Sequence, residues 1–150
     1  MGKVLFGVCA LLALCILGLG LVAYLHREEE VVAVDNLLAE DLTRLIQTAE
    51  GRGEDVDLAA ATDFPWNRVL VVAEGTPPER IGDALGSRFN GAINYTAESN
   101  GMFVFARGSV LARFADYRGR ARFEGFEVPV DEFAREEAVF TVRDLVVSPK

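Results

Sequence analysis

Histidine, lysine and cysteine are nearly missing from this chain of 150 residues. It has one His, two Lys and two Cys, against 13 Arg and 23 acidic residues. The single His26 directly follows a long apolar run, so residues 28–150 contain no histidine to serve as a general base near neutral pH. Both cysteines, Cys9 and Cys15, lie inside that run. The rest of the chain therefore has no disulfide framework, thiolate metal site or cysteine nucleophile. No G-x-S-x-G elbow, Walker loop, dinucleotide fingerprint or H-E-x-x-H occurs. No catalytic residue, metal ligand or cofactor is therefore assigned, and a non-catalytic binding or accessory role is expected. An enzyme using carboxylates or a bound metal, which needs no local motif, is the first alternative. The second is an assembly factor acting through the apolar run and the helix that follows it.

Charge is also absent where it would matter most. Residues 4–25 contain no charged residue, Pro, Asn or Ser, and these 22 residues would form a helix roughly 33 Å long. That length matches the hydrocarbon core of a bilayer, so the lipid bilayer is the partner expected for residues 4–25. Gly7, Gly18 and Gly20 would weaken a helix in water but are tolerated in lipid, where the backbone can bond only to itself. A cleaved secretory signal is an alternative, with Gly18-Leu19-Gly20 as a small-x-small site. A lipoprotein signal ending at Cys15 is another, although Leu14 stands where a small residue is wanted. Lys3 and the α-amino group precede the run, while His26, Arg27 and three glutamates follow it. The balance of positive charge predicts a cytoplasmic N-terminus and an extracytoplasmic remainder. The expected division is an anchor at 1–27 and an α+β domain at 28–150. High Arg with little Lys points to a GC-rich bacterial genome.

All the acidic residues follow position 27. Residues 28–150 hold 13 basic and 23 acidic side chains, a net charge of −10. Such a surface repels phosphate backbones, which argues against nucleic acid as a partner. It repels anionic headgroups as well, so the domain should stand off the membrane.

Residues 31–50 read as an amphipathic helix. Val31, Val34, Leu38, Leu42, Leu45, Ile46 and Ala49 recur at spacings of three and four. Such a stripe is expected to pack on its own domain, with partner binding as the alternative. Residues 51–63 read as a polar loop. Its Asp55, Asp57 and Asp63 lack the ligand spacing of a calcium loop. Residues 68–73 form a short β-branched apolar run, expected as a buried central strand. Thr76, Pro77 and Glu79 carry the pattern of a capping box opening a helix over 77–85 that ends at Gly86. Asn90-Gly91 and Asn100-Gly101 suit turns with positive φ. Residues 102–117 read as a hairpin about Gly108-Ser109, with further strands near 121–128 and 138–145. The expected fold is α+β: a four- to five-stranded, mainly antiparallel sheet with one or two packed helices.

Two features could carry recognition. Trp66 and Arg68, following Phe64, precede the first strand, and aromatic and arginine side chains are favoured at interfaces. The alternative is that Trp66 plugs the sheet edge and Arg68 pairs with a neighbouring acid. The second feature is a basic strip formed by Arg118, Arg120 and Arg122, with Arg113 nearby. In an extended segment the first three would share one side and could receive an acidic partner. Pairing with the domain's own carboxylates is the competing reading.

The stretch from Pro65 to Val72, then Thr76-Pro77-Pro78-Glu79, Leu85-Gly86 and the Phe-rich strand at 102–106, resembles small bacterial envelope proteins without an assigned activity. Many of these carry a lipid or a single apolar anchor. The resemblance covers roughly residues 64–107 and rests on short motifs. It implies an envelope location, an envelope protein as partner and no catalytic residues. This chain has Glu74-Gly75 where an aromatic often follows the first strand in that group.

Overall fold

The computed structural model describes residues 32–93 and 100–150. The apolar run at 4–25 lies outside the described residues. Among the described residues, no helix is long and apolar enough to cross a membrane.

The first helix, α1 (Asn36–Arg52), starts five residues later than the periodicity suggests. Asp35 sets the start, because its carboxylate accepts from the Leu38 N–H at 3.0 Å. Val34 thus lies outside the helix. Gly53, left-handed at φ 65°, ends α1, and its N–H bonds to the carbonyls of Ala49 and Glu50. The apolar stripe survives as Leu38, Ala39, Leu42, Ile46 and Ala49, all buried against the domain.

Residues expected as a loop instead form strand β1 (Asp55–Asp57) and a short helix, α2 (Leu58–Ala61). Asp57 caps α2, accepting from Ala59 N–H at 2.8 Å and Ala60 N–H at 3.1 Å. Strand β2 (Arg68–Val72) follows, then helix α3 (Pro78–Leu85). The expected capping box is not formed: Pro77 occupies the cap position, and the buried Thr76 hydroxyl donates to the Ala73 carbonyl at 2.7 Å. Gly86 ends α3 as expected, with its N–H on Gly82 and Asp83 carbonyls.

The hairpin is present as β3 (Met102–Arg107) and β4 (Val110–Asp116), with Gly108 at φ 60° in the turn. A bulge shifts its register between Phe105 and Ala106. Beyond it lie β5 (Arg122–Phe123), β6 (Val130–Ala134), a 3₁₀ turn (Arg135–Glu137), β7 (Val139–Arg143) and β8 (Val146–Pro149). The strand anticipated at 138–145 is in fact β7 plus a two-residue turn, with Asp144 and Leu145 at φ 51° and 59°. Asn90-Gly91 also departs from expectation. Gly91 is not left-handed but bridges Val32, and a Cβ there would lie 2.3 Å from the Phe89 ring.

The domain is α+β with two four-stranded sheets rather than one sheet of four or five strands. The first has the order β4-β3-β2-β6, with every pair antiparallel. The second has the order β1-β7-β8-β5, with β5 and β8 parallel. The larger core includes Val69, Val71, Phe103 and Phe105 of the first sheet, Val56, Phe140, Val142 and Val147 of the second, and the stripe of α1. The smaller core lies on the opposite face of the first sheet, where Leu70, Val72, Met102 and Val104 meet Ile81 and Leu85 of α3.

Candidate functional site

Trp66 is 4% exposed. Its Nε1 donates to the Thr62 hydroxyl at 2.7 Å, and that hydroxyl donates onward to the Leu58 carbonyl at 2.7 Å. The indole meets Phe105 edge-on at 5.1 Å, and the Arg135 guanidinium covers it at 4.5 Å. As a core plug Trp66 offers little surface to a partner, in line with the alternative reading of this residue.

Arg68 holds three elements together. Its guanidinium donates to the carbonyls of Ala84 at 3.2 Å and Leu85 at the C-terminal end of α3, and its Nε donates to Gly108 at 2.7 Å in the hairpin turn. The Glu132 carboxylate of β6 accepts at 2.8 Å. A cation at a helix C-terminus also complements the helix dipole. These bonds occupy the side chain within its own fold.

Arg118, Arg120 and Arg122 are all exposed and alternate with buried Gly119 and Ala121, although the chain bends at Gly119 and Arg120. Arg118 pairs with Asp116 at 2.8 and 2.9 Å and also reaches Asn36 Oδ1 at 2.7 Å. Arg122 lies 3.4 Å from Glu124, both well exposed. Arg120 is exposed and makes no ion pair among the described residues.

Nor do the three aspartates of the 51–63 segment converge. Asp55 meets Lys150 at 2.9 Å and Arg143 at 3.5 Å, Asp57 caps α2, and Asp63 is exposed elsewhere. The hydrogen bond and charge of Lys150 hold the Asp55 carboxyl below its ordinary range. Among the described residues no group of three metal-ligating side chains is present.

A concavity joins part of the stripe of α1 to Leu37 and Phe64, which lie off that periodicity. A cleft of about 620 Å³ opens between α1 and the segment that follows α2. Leu38, Leu42 and Phe64 form its apolar floor, with Leu45 on one wall. Leu37 stands beside them 76% exposed. Asp35, Asp41, Asp63 and Arg113 supply its charge. Arg113 is held in place, 3.2 Å from Asp35 and 4.6 Å over the Phe64 ring. A smaller hollow of about 310 Å³ shares Phe64 and Arg113 with it and continues to Val110, Leu111 and Ala112 on β4. Val110 is 66% exposed. The one signal available in the sequence was Leu37, an apolar residue off the stripe of α1.

Another hollow, about 560 Å³, lies beside α3. Its walls combine the exposed Glu79, Asp83, Ser87 and Arg88 with glycine backbone, and Pro78 and Phe89 are its apolar lining, against four leucines and Phe64 in the cleft beside α1. The cleft at Phe64 therefore joins two properties of binding sites, an apolar concavity and a few fixed charges. No protein-family model, curated protein or solved structure matches this chain.

Proposed function

We propose that this chain is a membrane-tethered, extracytoplasmic binding module that docks an envelope protein in the cleft between α1 and Phe64. The observation that carries the reading is the cleft itself. Leu37, at 76% exposure, stands open to solvent there with no partner in the described core, beside the half-buried Leu45 and above the buried Leu38, Leu42 and Phe64. Covering such a group removes about 25 cal/mol per Å² of apolar surface from water. The tether is supported by the uncharged residues 4–25, and the orientation by the flanking basic residues. The acidic surface supports a protein partner over nucleic acid.

A photo-crosslinking residue placed at Leu37 of the full chain, in its native membranes, tests the docking. A discrete protein adduct is expected from that position and not from Glu79, which lines the other hollow. The same adducts from both positions, or none from Leu37, would overturn it. Alkaline carbonate extraction tests the tether. The chain should remain with the membrane pellet, whereas a dissolved mature form starting beyond Leu25 would defeat that half of the reading.

A further inference from the structure

We infer that the occupant of this cleft is an apolar, basic peptide segment of a partner protein, an inference that rests on the docking function proposed above. Shape is the first support. The two hollows meet at Phe64 and Arg113, so the apolar trough runs from Leu37 to Val110 and is longer than one side chain requires. The second is the edge of the sheet. β4 is the outer strand of its sheet, and the Asp35 N–H already bonds to its Phe114 carbonyl at 2.9 Å. Among the described residues nothing pairs with that side of residues 110–112, so an extended segment could add main-chain bonds there.

Charge selects the partner's chemistry. The larger hollow is lined by three carboxylates and one guanidinium, and that guanidinium is already engaged by Asp35. Asp41 is shared with Arg44 at 3.6 Å, while Asp63 is exposed without an ion pair among the described residues. The acidic field is therefore confined to the larger hollow, at the Leu37 and Asp63 end, while Arg107 and Arg113 line the smaller one, within a domain of net charge −10. A second copy would bring the same acidic rim against itself, and an anionic membrane surface would be repelled likewise. A segment with leucine-like side chains and Lys or Arg satisfies both the floor and the rim.

The test uses the full chain in maltoside micelles and three labelled peptides of about twelve residues, with empty micelles as the blank. The peptides alternate Leu with Lys, Leu with Glu, and Ser with Lys. Fluorescence anisotropy should show the Leu–Lys peptide binding at least ~10-fold more tightly than the other two, because it alone matches floor and rim. L37S and D63K, both at exposed positions, should each weaken it by about 10-fold, whereas E79Q should not. Equal binding by wild type and both cleft variants would overturn the inference, as would preference for the Leu–Glu peptide. A concentration-dependent doubling of mass that L37S abolishes would assign the cleft to a second copy instead. A Leu37 crosslink without Leu–Lys binding would remove the peptide chemistry and leave docking in place. Loss of both would remove both.

Discussion

In β3 the residues from Met102 to Ala106 are all buried, whereas in β7 only Phe140 and Val142 are. The first sheet lies between two cores, with α1 and the second sheet on one face and α3 on the other. The second sheet contributes one face to the larger core. A strand covered on both sides has no position for a polar residue, which is why its sequence reads as an unbroken apolar run. A strand covered on one side alternates.

The sharpest way to break this comparison is to place the same amide in both sheets. Val104→Asn puts a polar group at a wholly buried position against α3, where it should cost about 3–5 kcal/mol, combining lost apolar burial with an unpaired amide. Val139→Asn occupies a half-buried position of β7 and should cost less than about 1 kcal/mol. Urea unfolding of the two variants would measure the difference. Equal losses would mean that the second sheet is covered on both faces too.

Arg68→Met tests how the first sheet keeps its covering helix. It removes the donors to Ala84, Leu85 and Gly108 together with the Glu132 partner. A loss of about 2–3 kcal/mol is expected, since bonds made by charged groups exceed neutral ones. Hydrogen exchange should locate the loosening in α3 and the hairpin turn. Uniform loss across both sheets would contradict the role of Arg68 as a local tie.

Tyr117 follows β4 and is buried in the larger core, where its hydroxyl accepts from the Ala121 N–H at 3.2 Å. Tyr117→Phe leaves that buried N–H without its acceptor and should cost about 1–2 kcal/mol. Burial also pushes the Tyr117 hydroxyl above its ordinary pKa. The proton is held more tightly in the folded state than in the unfolded one. The contribution is thus complete below the ordinary tyrosine range and is lost as pH rises through the folded value. The Phe variant should have a shallower alkaline limb in a pH series of melting temperatures.

The smallest effect belongs to the outer edge of the second sheet. Lys150→Ala removes the main cause holding Asp55 low. Asp55 stabilises above the ordinary carboxylate range, and this contribution is lost as pH falls through its depressed folded value. The variant should be slightly less stable near neutrality, with a shallower acid limb. An unchanged limb would show that Arg143 alone keeps Asp55 ionised in the fold.

Legibility in the sequence followed the same division. β2 and β3 were readable because four or more consecutive apolar residues leave few alternatives, and β4 from its residues following the Gly108-Ser109 turn. Helix α1 was readable from its stripe, and its true start depended on the Asp35 side chain reaching Leu38. β1, β6 and β8 are not read from the sequence. They hold only three to five residues each, and Asp55-Val56-Asp57 looks like a loop until Thr141 and Val139 stand opposite it. The β7–β8 turn was missed because Asp144-Leu145 uses two left-handed residues, neither of them glycine. The alternation of Arg118, Arg120 and Arg122 was legible as a shared exposed side, whereas the carboxylates that Arg118 and Arg122 meet, Asp116 and Glu124, were decided by the fold.

The amino-acid order by itself determined the uncharged opening run, the acidic balance, the α+β class and three strands of the first sheet, β2, β3 and β4. Each of these depends on local composition or on a short repeat, which neighbouring residues are enough to express. Tertiary structure alone decided the second sheet, the burial of Trp66, the ties made by Arg68 and the cleft at Phe64. Those features depend on residues far apart in the chain, such as Asp35 with Arg113 or Arg68 with Glu132. Their contacts exist only once the chain has closed on itself, and no local pattern encodes that distance.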